Sequence, residues 1–205
     1  MIKEFGGRVA SVWEGLRPIT KKMLVRAMQS SNSTALNNKA PKFSYDAHAD
    51  LEVSRLLSAL DEQSRTKEAR TDPAKFAEIK QLADACAGVL ESQSASAEVF
   101  IQLAQRLIKA NDYNRLDKLA DRLAERFSAG EIAEIVRQTE LPQIRAIAYE
   151  TLAMLPISAI VPLLDDPLYA DIAAGAIEQK AYEFDSDEAR DILDQLDAED
   201  RIAGE

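Results

Sequence analysis

The stretch Leu141-Pro-Gln-Ile-Arg-Ala-Ile-Ala-Tyr-Glu-Thr-Leu-Ala-Met-Leu155 decides how this chain is read. Pro142 has its φ pre-set for a first helical turn. Ile144, Ile147, Ala148 and Leu152 then fall on one face of a helix with 3.6 residues per turn. The pattern returns 25 positions later, where Pro167, Ile172, Ala173 and Ile177 stand for Pro142, Ile147, Ala148 and Leu152. A proline that opens a helix, followed by apolar residues at fixed spacing, is one helical unit written twice. Such a unit buries its apolar face only by stacking on neighbours, so the pattern predicts stacked antiparallel helix pairs.

Helical periodicity extends outward from this repeat. Leu51, Leu56, Leu57 and Leu60 give one apolar face. Asp72-Pro73 supplies an N-cap acid and a proline at the first helical position. The helix it opens carries Phe76, Ile79, Leu82, Ala83, Cys86, Val89 and Leu90 on one stripe. Val99, Phe100, Leu103, Leu107 and Ile108 form the next, and Tyr113, Leu116, Leu119, Ala120, Leu123 and Phe127 follow. Ser128 and Glu131 have the spacing of a capping box. Pro156 and Pro162 bracket a short apolar segment from Ile157 to Leu164. Asp166-Pro167 opens the helix of the second copy, and acids from Asp185 onward suit the start of a last one. No run alternates with the period of a strand, and no Asn-Gly or Asp-Gly hairpin turn occurs. The predicted fold class is all-α.

The order Ile144-Arg145, Ala148 and Leu152 resembles the second helix of a HEAT-type repeat, which favours an apolar residue plus arginine, then alanine, then leucine. Leu116, Leu119 and Ala120 echo it, and the resemblance covers roughly residues 112–180. The second copy departs from the pattern, with Ala170 where Arg145 would stand. The step is also shorter than the roughly 40 residues usual for such repeats. What the resemblance implies is a HEAT-like α-α superhelix whose surface binds another protein. The residues alone describe a compact irregular helical domain equally well.

Charge divides the chain. Residues 1–42 carry eight basic side chains against Glu4 and Glu14, a net +6, so the remainder must carry −16 to reach the total of −10. An acidic body repels phosphate backbones, and no nucleic acid partner is expected. Ile2, Phe5, Val9, Val12, Trp13 and Leu16 lie on one side of a basic amphipathic segment, and Pro18 separates it from a second segment with Ile19, Met23, Leu24 and Met28, which also carries Lys21, Lys22 and Arg26. Residues 30–47, rich in Ser and Asn, read as a polar linker. The expected organisation is an N-terminal arm over 1–29, a linker over 30–47 and a helical repeat-like domain over 48–205. Gly6, Gly7 and Gly15 predict an arm that is only marginally helical without a partner.

Chemistry finds little footing. His48 is the only histidine and Cys86 the only cysteine, and Cys86 sits on an apolar stripe. No Gly-x-Ser-x-Gly turn or phosphate-cradling glycine loop occurs. The acids from Asp185 to Asp191 lack the glycine an EF-hand needs at its sixth place, where Arg190 stands. We therefore expect no catalytic, cofactor-binding or metal-binding residues. The expected function is a non-enzymatic interaction or scaffold module in the cytoplasm, binding a protein partner through Phe5, Val9, Trp13, Leu16, Lys21, Lys22 and Arg26. The alternative is a peripheral membrane protein anchored by the same basic segment. Self-association of basic arm and acidic body is a third use of it. Tyr149, Tyr169 and Tyr182 are further contact candidates, since tyrosine suits interfaces.

Overall fold

A computed structural model describes residues 2–31 and 45–203. Within them the chain is all-α, with twelve α-helices, two short 3-10 helices and no strand. Two compact units divide at Ser94 and Ala95. The division does not fall near residue 47, where composition changes, because the N-terminal helices are built into the first unit. Residues 32–44 of the expected linker lie outside the described residues.

The first unit holds a 3-10 turn at Ile2–Phe5, then α1 (Gly7–Gly15), α2 (Pro18–Ser31), α3 (Ala47–Ser64), α4 (Lys67–Thr71) and α5 (Pro73–Gln93). Helix α5 is its axis, packing on α2, α3 and α4, while α1 lies on α3. Val53, Leu56, Leu57 and Leu60 of α3 and Ile79, Leu82, Cys86 and Leu90 of α5 are completely buried. Asp46 caps α3 by accepting from the Ala49 amide at 2.8 Å. Asp72 caps α5 by accepting from the Ala74 and Lys75 amides.

The glycines of the N-terminal segment do not interrupt its helices. Gly7 and Gly15 are the first and last residues of α1, where the entropic cost of a mid-helix glycine is small. Gly6 has φ +112° and ψ 154°, a conformation essentially reserved for glycine. A Cβ there would also collide with the Gln63 side chain of α3. This glycine lets the chain turn into α1 directly against α3.

The second unit holds α6 (Ala97–Ala110), α7 (Tyr113–Arg126), α8 (Ala129–Gln138), α9 (Pro142–Met154), α10 (Ile157–Ile160), a 3-10 turn at Val161–Leu163, α11 (Ala170–Glu183) and α12 (Asp187–Ala203). Helix α8 packs on α6, α9 and α11, α7 packs on α6 and α9, and α12 packs on α11. Ser128 caps α8 as its spacing predicts, accepting from the Glu131 amide at 3.2 Å. The Glu131 carboxylate makes a longer connection, accepting from the Ala97 amide at the start of α6 at 2.7 Å.

The sequence repeat is matched in burial but not in its opening. Ala148 and Ala173 are both fully buried, as are Leu152 and Ile177. Pro142 is the first residue of α9, whereas Pro167 lies in a turn three residues before α11. Asp166 organises that turn, its carboxylate accepting from the Leu168 amide at 2.9 Å and its carbonyl from the Ala170 amide at 2.8 Å. Cations then tie consecutive helices together. Arg145 of α9 donates to the Thr139 carbonyl at the end of α8 at 2.7 Å. Lys180 of α11 donates to the Ala153 and Leu155 carbonyls at the end of α9, each at 3.0 Å. Both place positive charge at the negative end of the helix they reach, α8 for Arg145 and α9 for Lys180.

Candidate functional site

The N-terminal residues expected to meet a partner divide sharply by burial. Phe5 is 2% exposed, Val9 is fully buried and Leu16 is 5% exposed, so these three are core residues of the first unit and not contact residues. Their apolar stripe requires a cover, and α1 lies on α3 of the same chain. Trp13 is half-buried, as are Lys21 and Arg26, and Lys22 is exposed. The Lys21 ammonium donates to the Glu14 carbonyl at 3.0 Å, near the end of α1.

Polar contacts reinforce this docking. Arg17 sits at the junction of α1 and α2. Its guanidinium donates to Asp46 at 2.7 and 3.0 Å and to Glu52 at 3.1 and 3.2 Å. The Arg17 amide also donates to Glu52 at 3.1 Å, and the buried Thr20 hydroxyl donates to the same carboxylate. Arg8 pairs with Glu62. The Arg17 hydrogen bond, helped by the Ala49 amide, holds the Asp46 carboxyl well below the usual range. Burial pushes Glu52 up, but donors from Thr20 and Arg17 outweigh it and lower the net value. Asp46 and, more weakly, Glu52 raise the Arg17 guanidinium.

A pH dependence follows with a definite sign. Both carboxyls titrate lower in the folded chain than their ordinary values of 3.8 and 4.5. Their contribution is therefore fully present above those values and is lost as the pH falls through and below them. The pairs are partly exposed, so solvent screening keeps the effect modest. Arg17→Leu is expected to lower the thermal midpoint of the first unit at neutral pH. It should also flatten the acid-induced fall that the unaltered chain shows below pH 4.5, followed by Trp13 emission. An identical acid profile in the two chains contradicts the clamp.

In the second unit a groove of about 730 Å³ runs between α7 and α9. Its α7 wall presents Asp117, Asp121 and Glu125, one carboxylate per helical turn, and Glu150 stands on the α9 side. Ala120, Ala124, Ile147 and Met154 give it an apolar bed. Met154 is 55% exposed, unusually open for so large an apolar side chain. The Thr151 hydroxyl, also in the lining, is already spent on the Ile147 carbonyl at 2.7 Å. The α7 face follows from its sequence: leucines at 116, 119 and 123 turn inward, which leaves 117, 121 and 125 on the outer side.

A further carboxylate of this unit, that of Glu134, is engaged internally. Glu134 of α8 accepts from Arg137 at 2.6 Å, from Gln138 at 2.6 Å and from the Tyr169 hydroxyl at 3.0 Å. Arg137, its largest influence, brings the carboxyl down to about 2 against the opposing effect of burial. Tyr169 thus anchors the turn before α11. Tyr149 lies over Gly175 of α11, within van der Waals reach of where a Cβ would stand. Of the three tyrosines only Tyr182 is widely exposed, at 73%.

Among the described residues no group of three or more His, Cys, Asp or Glu side chains converges on a point where a metal ion would sit. No single helix among them is long and apolar enough to cross a membrane. The chain matches no protein-family model, no curated protein and no solved structure.

The groove escaped the sequence reading because it is made by the meeting of two helices. One signal was available. Asp117, Asp121 and Glu125 recur every four residues and so line one face of a helix.

Proposed function

We propose that this chain is a non-enzymatic interaction or scaffold module that binds a protein partner through the helical surface of its second unit, with cytoplasmic residence. The single observation that carries the reading is the α7–α9 groove, whose apolar bed and open Met154 are bordered by four carboxylates. The HEAT-type resemblance of residues 112–180 belongs to the same proposal. It draws support from the matched burial of Ala148 with Ala173 and of Leu152 with Ile177.

The test is affinity capture from the source cells with the unaltered chain and with Ala124→Arg. Ala124 is exposed, so arginine there fills the groove without entering the core. The reading expects a specific protein to be captured by the first chain and lost with the second. Identical captured sets argue against it.

The peripheral-membrane reading retains one observation in its favour. Ile19 and Val25 are 41% and 43% exposed on α2, beside Lys22. Phe5, Val9, Leu16 and Leu24 of that segment are buried in the first unit, and exposing them requires undocking two helices. Full-length protein is therefore expected to stay in solution with anionic liposomes at about 0.15 M salt. Sedimentation that Ile19→Asp abolishes favours the membrane reading instead. For self-association through the arm, Lys22 is an exposed cation, whereas Phe5, Val9 and Leu16 are occupied within their own unit.

A further inference from the structure

We propose that the α7–α9 groove docks a basic amphipathic α-helix belonging to another protein. This rests on the interaction reading above and names the chemistry of the partner. Asp117, Asp121 and Glu125 follow one another at intervals of four residues along α7, about 6 Å apart at 1.5 Å of rise per residue. A helix lying along the groove repeats its own side chains at the same interval, so lysines or arginines one turn apart meet one carboxylate each. Glu150 takes a cation on the opposite side.

The bed of the groove specifies the other face of the occupant. Ala120 and Ala124 are small and four residues apart, which lets a second helix approach α7 closely. Ile147 and Met154 offer apolar contact on α9, and the flexible thioether of Met154 adapts to residues of different shape. An incoming helix with apolar residues at i, i+3, i+4 and i+7 fits this bed, the recognition mode of an amphipathic helix in a groove. A small polycation answers the carboxylates but leaves the apolar bed uncovered. A metal ion needs ligands that converge, and these are strung along a wall. The chain's own basic segment is not the occupant, because its apolar residues Phe5, Val9, Leu16 and Leu24 lie in the core of the first unit.

The experiment titrates full-length protein into a fluorescein-labelled leucine/lysine model peptide of about 18 residues, long enough to form a helix on binding. Leucines occupy i, i+3, i+4 and i+7 and lysines the remaining places. A scrambled peptide of equal composition has no apolar face. At about 0.15 M salt, fluorescence anisotropy is expected to show the amphipathic peptide binding about tenfold or more tighter than the scrambled one. The double change Asp121→Lys with Glu125→Lys is expected to weaken binding by about tenfold or more. So is Ala124→Arg alone. The double change Asp171→Lys with Glu178→Lys alters charge equally at exposed positions of α11, and binding should stay within about twofold of the unaltered chain. Far-UV circular dichroism confirms that each variant keeps its helices.

Equal binding of the two peptides overturns the proposal, as does equal weakening by the two charge reversals. Full displacement of the peptide by spermine at matched charge concentration also overturns it, since the groove is then an acidic surface only. If Ala124→Arg abolishes partner capture while neither peptide binds, the interaction reading stands and the basic-helix occupant falls. If the peptide binds as described while partner capture is unaffected by Ala124→Arg, the occupant stands for this groove and the wider reading loses its support.

Discussion

Replacing Phe5 by alanine is expected to lower the unfolding free energy of the first unit by about 3–5 kcal/mol, the usual cost of truncating a fully buried phenylalanine. Phe5 is 2% exposed at the end of the N-terminal 3-10 turn. Truncation leaves a cavity before the start of α1, and its cost depends on how far the neighbouring side chains relax into it. Trp13 is the only tryptophan in the chain, so its emission during urea unfolding reports this unit selectively. Lys22→Ala serves as the control, since Lys22 is exposed and surface changes of this kind stay within about 0.5 kcal/mol. A free arm predicts no difference between the two variants, and an unchanged urea midpoint for Phe5→Ala contradicts the docked arrangement.

Phe100→Ala is expected to have an effect of similar size in the second unit. Phe100 is 1% exposed on α6, and its ring meets that of Phe127 edge-to-face, with centroids 5.9 Å apart and planes at 77°. Loss of the side chain costs about 3–5 kcal/mol, within which the aromatic pair accounts for about 0.5–1.5 kcal/mol. Phe127 is the C-cap residue of α7, so this contact fixes the end of the helix that carries Asp117, Asp121 and Glu125. The variant should accordingly bind the amphipathic peptide more weakly as well as unfold earlier. Phe100→Leu, which keeps most of the volume, should recover most of both losses. A Phe100→Ala chain with unaltered stability contradicts the packing described for α6 and α7.

Much of the fold was legible from local signals. The aspartate at 72, the proline at 73 and the serine at 128 act as caps where their spacing predicts, because capping depends on a few adjacent residues and little else. The leucine stripes of α6 and α7 turned inward for the same reason: amphipathic period and burial are set by one helix at a time. The N-terminal segment illustrates the limit. Its amphipathic face at Phe5, Val9 and Leu16 was visible, but a sequence does not say which surface covers such a face. A partner, a membrane and the chain's own α3 present the same chemistry to it. Charge pointed outward, yet Arg8 and Arg17 are held by Glu62, Asp46 and Glu52 of the same unit.

Pro167 shows a second limit. It carries the repeat in sequence, but Asp166 draws the chain into a turn, and α11 starts only at Ala170. A proline is compatible with the first turn of a helix and with the turn before one, so its position alone did not separate the two. The groove required knowledge of which helices meet. Ala120 was read as part of an apolar stripe, and its place beside Ile147 and Met154 of α9 comes from tertiary packing.

The proposed outward-facing function lies in the α7–α9 groove, while Phe5, Val9 and Leu16 of the N-terminal segment lie in the core of the first unit. Hydrogen–deuterium exchange on the full chain, with and without the amphipathic peptide, tests both halves at once. Slow exchange across α1 and α2 is expected in the free protein, comparable with α3 and α5. Peptide addition should slow exchange further over residues 117–125 and 147–154 and leave residues 2–31 unchanged. Fast exchange across α1 and α2 in the free chain, with protection there only when peptide is added, is the result that contradicts it.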